Sequence, residues 1–213
     1  MPDFDKSFRQ GTLEFMAADL VASPTIPQTF HHDLESFFWV LLWMVLRQMR
    51  TSWTEAKLSA FLKSKFSPTL YEQSGGVYGG ESKKNFLLNP LSLKDFQISE
   101  NTILTELVKG LKSTVSSRFD EEPSRDDSED EEDFQRRLKK FKDRSKLMEG
   151  HSKMLEQFAS ALDHSKKWPE NDEASPQTLQ LSKEEIRAIQ YSTKWLRSMY
   201  EHNVLSSSKR RRA

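Results

Sequence analysis

The chain has 213 residues, of which 36% are hydrophobic and 30% charged, and its 32 basic side chains are balanced by 32 acidic ones. A net charge of zero excludes a global field that would attract nucleic acid, and the absence of cysteine excludes disulfides, thiolate metal sites and cysteine nucleophiles. With a mean hydropathy of -0.72, we expect one small core plus solvated segments in an intracellular protein, cytoplasmic or nuclear. The amino terminus, MPDFDKSFRQ, has no apolar stretch, which argues against a secretory signal peptide.

Residues 9–50 carry the most informative pattern in the chain. The stretch GTLEFMAADL contains a Gly-Thr loop and a short amphipathic turn. It precedes HHDLESFFWVLLW, which predicts an almost wholly apolar helix that begins at its aspartate. This order resembles the C-terminal lobe (C-lobe) of a protein kinase, in particular the fungal-type protein kinase family. The first stretch is similar to the end of a kinase activation segment, and the second to the start of the helix that forms the hydrophobic axis of the lobe.

The resemblance implies structural roles for particular residues. Gly11, Thr12 and Leu13 match the loop that shapes the floor for the protein substrate. Asp19 matches the acidic residue that closes the segment and pairs with an arginine deeper in the lobe, for which Arg197 is a conceivable partner. Asp33 matches the aspartate that braces the catalytic loop. Read from the residues alone, Asp19 and Asp33 are also ordinary acids at helix amino termini.

The resemblance also implies an activity for a complete family member, which transfers the γ-phosphate of ATP to protein Ser or Thr with magnesium present. The 213 residues contain no glycine-rich loop, strand lysine or catalytic loop, and Asp3-Phe4-Asp5 ends in aspartate where the metal-binding motif has glycine. We therefore expect this chain to be truncated and inactive, with no ATP or magnesium bound. The expected partners are a protein substrate, the missing kinase half or a second copy, and neither a membrane nor nucleic acid.

Histidine chemistry is a weaker alternative. His31 and His32 stand beside Asp33, but adjacent side chains at a helix start diverge, and no other ligands of a site accompany them. We expect neither a metal site nor a catalytic base at this position.

Phe37 to Leu46 reads FFWVLLWMVL, ten consecutive apolar residues. A bilayer crossing needs about 20 residues, so the run predicts a helix buried on all sides by other elements.

The following region predicts helices joined by loops. Trp53 to Leu62 has the pattern of a short amphipathic helix, whereas Ser64 to Asn89 contains Pro68 and two glycine pairs and predicts a long loop. Apolar residues from Ile103 to Val115 recur at helical spacing after Ser99, which predicts a helix capped by that serine.

Asp120 to Asp133 is an acidic run in which Arg125 is the sole basic residue. Mutual repulsion and the lack of apolar side chains predict disorder. Ser124 and Ser128 each have an acid three residues downstream, which is the pattern of acidophilic kinase substrates; a solvated linker is the alternative.

The carboxyl-terminal part predicts two further helices. Apolar residues from Phe134 to Leu162 form one stripe, which predicts a long helix that docks back on the lobe. Pro169 ends that helix, and Ser182 with Glu185 forms a capping box for a last helix.

The tail carries four adjacent cations, Lys209, Arg210, Arg211 and Arg212. Such a cluster can serve as a nuclear-import signal, bind phosphates non-specifically or remain a plain solvated tail.

The predicted fold is mainly α, a kinase-like C-lobe around a buried apolar helix. Its expected parts are a C-lobe fragment over 1–118, a disordered acidic linker over 119–133, docking helices over 134–205 and a basic tail over 206–213. Three interpretations stay open: the C-lobe of a fungal-type protein kinase, a non-catalytic helical binding module, and a nuclear adaptor unrelated to kinases.

Overall fold

The computed structural model describes residues 14–23, 26–66, 79–125, 130–163 and 168–169, all within one compact unit, Met1–Gln177. These residues confirm a mainly α fold. Their helices are α1 (Ala18–Ala22), α2 (Phe30–Gln48), α3 (Glu55–Phe66), α4 (Gly79–Leu88), α5 (Thr102–Ser116), α6 (Glu131–Ser145) and α7 (Ser152–Asp163), with 3-10 turns at Ser117–Phe119 and Lys146–Met148. Over the described ranges the sole β pairing is an isolated antiparallel bridge between Thr51 and Ile98.

Helix α2 is the central helix, and its start is fixed locally. The backbone N–H of Thr29 donates to Nδ1 of His32 at 2.9 Å, so the histidine side chain closes a capping box. Phe38, Trp39 and Leu42 are fully buried. No described helix is long and apolar enough to cross a bilayer.

The expectation that α2 is buried on all sides is wrong. Phe37 is 54% exposed and Met44 is 52% exposed, so one edge of the helix faces outward. The apolar run covers the whole circumference of the helix, whereas the helices in the described part of the structure pack chiefly on the side of Phe38 and Leu42. Phe37 keeps an edge-to-face contact with Phe158 of α7, with ring centroids 5.8 Å apart.

The predicted loop over Ser64–Asn89 is also wrong in the parts that are described. Ser64 lies in the last turn of α3, and Gly79–Leu88 forms α4. The glycine pair that suggested a loop instead permits close packing, because a Cβ on Gly80 would lie 2.4 Å from the carbonyl oxygen of Ala18 in α1. Lys83, Phe86 and Leu87 follow at helical spacing and are buried, so tertiary packing overrides the low helix propensity of glycine.

Helices α3 and α5 are close to their predicted positions, with shifted starts. α3 begins at Glu55, where the backbone N–H of Lys57 donates to Oγ1 of Thr54 at 3.3 Å. α5 is capped by Asn101 and not by Ser99, because the Asn101 side chain accepts from the N–H of Leu104 at 2.8 Å.

The single long helix predicted from Phe134 to Leu162 is wrong, since α6 ends at Ser145 and α7 begins at Ser152. The 3-10 turn between the two helices contains the buried Met148, whereas α6 itself has no buried residue. Helix α7 does pack on α5, where the Thr114 hydroxyl donates to Oε1 of Gln157 at 3.1 Å.

The acidic run is not entirely irregular. Glu131–Asp133 form the first turn of α6, where carboxylates interact favourably with the helix dipole. Residues 126–129 and the predicted last helix with Ser182 and Glu185 lie outside the described residues.

Candidate functional site: a buried ion cluster under the amino-terminal segment

Glu35, one turn into α2, is completely buried and accepts hydrogen bonds on one oxygen from two directions. The backbone N–H of Ala18 donates to Oε1 at 2.7 Å, and the indole Nε1 of Trp39 donates to the same atom at 3.0 Å. A buried carboxylate is costly unless it is paired and hydrogen-bonded. These contacts therefore tie the start of α1 to the central helix.

Arg118 supplies the charge that compensates this carboxylate. It lies in the 3-10 turn after α5 and donates from Nη1 to Oε2 of Glu35 at 2.8 Å, and from Nη2 to Oδ2 of Asp19. We refer to Asp19, Glu35 and Arg118 as the ion cluster. It joins the consecutive helices α1 and α2 to the 3-10 turn after α5, which is more than 80 residues further along the chain.

In the ion cluster, Asp19 lies beside an arginine. Asp19 is the residue that the family resemblance matches to the acidic end of the activation segment. The partner of Asp19 is Arg118, and the suggested Arg197 lies outside the described residues. Burial raises the pKa of Glu35, and the positive charge of Arg118 opposes that shift without cancelling it. The carboxylate thus depends on Arg118 to stay ionised inside the protein.

Lys83 of α4 holds the stretch of chain that Glu35 also contacts. We call this stretch, residues 14–18, the amino-terminal segment. Its Nζ donates to the carbonyl oxygens of Glu14 at 2.7 Å and Met16 at 2.8 Å, and lies 5.0 Å from the ring centroid of Trp39. Burial lowers the pKa of Lys83 to about 7.

The other predicted site residues have different positions. Asp33 is exposed in the first turn of α2, where Gln28 donates to it at 2.6 Å, and it makes no contact with the ion cluster. Gly11, Thr12 and Leu13 lie outside the described residues, as do Lys209–Arg212. His32 is used in helix capping, and burial lowers its pKa.

Three residues of this site are absent from the sequence-based set: Glu35, Lys83 and Arg118. Glu35 has a weak sequence signal, since it lies two residues before the run of ten apolar residues and within the same helix. Lys83 was assigned to a loop, and Arg118 has no distinguishing local pattern. Only the packing of α1, α2, α4 and α5 brings them to the segment.

The arrangement is suited to positioning a backbone segment. Both oxygens of Glu35 are engaged by protein donors, and Lys83 is directed at backbone carbonyls, so neither side chain is aimed at an open cavity. The described residues contain no group of three His, Asp or Glu side chains that could hold a metal ion.

Comparison with known proteins gives one family. The fungal protein kinase family model matches residues 3–45, which confirms over that stretch the resemblance seen in the sequence. No curated protein matches the chain. No solved structure matches it either. The matched stretch contains Asp19 and Glu35, whereas Lys83 and Arg118 lie beyond it.

Proposed function

We propose that this chain serves as the C-lobe of a fungal-type protein kinase and holds the end of the activation segment in place. The observation that carries the proposal is the ion cluster, because Arg118 fixes Asp19 and Glu35 at once. The Asp19–Arg118 pair supports the proposal, because the family resemblance implies an acid–arginine pair at the end of this segment.

The anchors also suggest where a substrate would bind. Ala18 and Met16 are held by Glu35 and Lys83, and Gly11–Leu13 directly precede this fixed stretch. We propose that Gly11, Thr12 and Leu13 contact a protein substrate. ATP and magnesium would be bound by kinase elements that supply the glycine-rich and catalytic loops.

Reconstitution tests this proposal. The chain would be co-expressed with the catalytic half of a fungal-type protein kinase that ends before its own Gly-Thr loop, and phosphate transfer to a Ser/Thr peptide library would be measured. We expect activity only when both halves are present. Arg118→Met should lower it strongly, whereas the matched control Arg125→Met, which breaks an exposed pair with Glu131, should not. Failure of the halves to associate, or equal activity of the two variants, would contradict the proposal.

The exposed edge of α2 favours a second candidate, a non-catalytic binding module. Phe30, Phe37 and Met44 are spaced by seven residues, which places them along one side of the helix, and all three are exposed. Contiguous apolar surface of this kind promotes association with a partner or a second copy. A partner that covers this edge would act without any phosphate transfer.

Light scattering of the purified chain tests the second candidate. We expect self-association that is reduced in Phe37→Ser/Met44→Ser. The control Leu88→Ser/Leu91→Ser removes exposed apolar side chains elsewhere and should leave the association unchanged. A monodisperse monomer would contradict self-association through this edge.

Nuclear import through Lys209, Arg210, Arg211 and Arg212 stays a proposal. A fluorescent fusion in which these four residues are replaced by glutamine tests it. Equal nuclear accumulation of both fusions would exclude the tail as the import signal.

A further inference from the structure

A second concentration of charge surrounds an open cavity of about 490 Å³ on another part of the molecule. It lies between the end of α4, the connection to α5, the last turns of α5, and α6. The charged side chains that line it are Lys94, Lys109, Lys112, Lys140, Arg144 and Asp120. None of them belongs to the ion cluster.

Five cations face one carboxylate here, in a chain whose net charge is zero. Asp120 is already engaged by Arg144, which also donates to Oγ of Ser116 at 3.3 Å. Lys109 has only a distant partner, Glu106, at 3.9 Å. Among the described residues, most of the positive charge that lines the cavity therefore has no carboxylate partner.

Lys112 shows that the cations lie close enough to act together. Its side chain is buried, and its Nζ donates to the carbonyl oxygen of Asn89 at 2.6 Å, which fixes the ammonium group. Burial lowers the pKa of Lys112, and the charge of Arg144 lowers it further. A bound anion would relieve this repulsion and form charge-assisted hydrogen bonds with the same groups.

The remaining lining limits the kind of anion. Leu87 and Leu93 provide a buried apolar wall, and Ser113 adds a hydroxyl group; the hydroxyl of Ser116 already donates to the carbonyl oxygen of Ser113 at 2.9 Å. The volume is within the range of small-molecule pockets. We propose that this cavity binds a small organic molecule that carries two or more phosphate groups, either free in solution or as a lipid headgroup.

Isothermal titration of the full chain with inositol trisphosphate and with pyrophosphate tests this inference. Lys94 and Lys140 are exposed, so Lys94→Gln/Lys140→Gln removes two charges from the cavity without disturbing the core. We expect affinity for both probes to fall about tenfold or more in this variant. The control Lys139→Gln/Lys142→Gln removes two exposed charges of α6 that do not line the cavity, and should retain wild-type affinity.

Vesicles that contain phosphatidylinositol bisphosphate distinguish the two sources. Co-sedimentation that soluble inositol trisphosphate displaces would identify a lipid headgroup, whereas binding of the soluble probe without co-sedimentation would identify a free ligand; either result supports the site. Equal weakening in the control variant, or no binding of any probe at millimolar concentration, would overturn it. Because the cavity and the ion cluster share no residue, this result is independent of the kinase reconstitution.

Discussion

The protonation of Lys83 is set by its burial against the amino-terminal segment. Between about pH 7, its pKa in the folded protein, and its ordinary pKa of 10.5, the unfolded chain holds a proton that the folded chain has released. The unfolded state binds more protons, so the free energy of unfolding rises with pH in this window. The stabilisation is complete above pH 10.5 and is lost as the pH falls to about 7.

We therefore expect the unfolding free energy to rise by on the order of 1 kcal/mol per pH unit from about pH 7 to pH 10. Lys83→Met should reduce this rise and leave the contributions of Lys65 and Lys112, whose pKa values burial also lowers. Lys142→Met on the exposed face of α6 should keep the rise in full. Urea denaturation at several pH values measures the slopes. Parallel curves for wild type and Lys83→Met would show that Lys83 titrates normally. Burial raises the pKa of Glu35, which makes the free energy of unfolding fall with pH where that group titrates.

Replacing Arg118 should lower the free energy of unfolding. Arg118→Met leaves the carboxylate of Glu35 buried without its cation, which typically costs about 3 to 5 kcal/mol. Arg125→Met removes an exposed ion pair with Glu131, which is worth about 1 kcal/mol or less. The two variants remove the same charge, and their urea midpoints should differ clearly; similar midpoints would mean that Glu35 is protonated or hydrated when Arg118 is absent.

At the scale of elements, α1 and α4 approach each other at Gly80. Gly80→Ala improves helix propensity by about 1 kcal/mol, but its Cβ would lie 2.4 Å from the Ala18 carbonyl oxygen and 2.6 Å from the Ala22 nitrogen. Because both neighbours are backbone atoms, we expect a net destabilisation of about 1 to 3 kcal/mol.

The matched control is Gly110→Ala in the interior of α5. Its Cβ would meet only the end of the Gln157 side chain, at 3.0 Å, which can move aside. This variant should be neutral or more stable. Thermal melts compare the two, and an equal response would indicate that α1 shifts easily on α4.

Elements differ in how well sequence predicts them. The sequence predicts α2 from ten consecutive apolar residues and α5 from apolar residues at helical spacing. α4 was missed because its burial depends on α1, a contact that no local pattern records. The break between α6 and α7 was missed because a continuous stripe does not specify whether one helix or two present it. Of the three residues of the ion cluster, the sequence assigns a role only to Asp19, since Glu35 and Arg118 meet through tertiary packing.

At the scale of the whole molecule, we expect no phosphate transfer by the 213-residue chain alone. The family resemblance assigns the catalytic aspartate and its neighbouring asparagine to a loop motif that these residues do not contain. Transfer of labelled phosphate from ATP to Ser/Thr peptides measures this, with the reconstituted halves as the positive control. Activity of the chain alone that survives further purification would require a catalytic site of another kind.

The ion cluster also sets the order in which the protein can mature during translation. Glu35 and Arg118 are separated by 83 positions, and at typical synthesis rates the ribosome needs on the order of ten seconds to cover that interval. During this time the nascent chain carries the apolar helix without the cation that neutralises Glu35. Contacts between such distant residues form late because long loops must close first. We therefore expect the amino-terminal segment to reach its final position only after Arg118 has left the ribosome, and apolar surface of α2 to stay exposed until then.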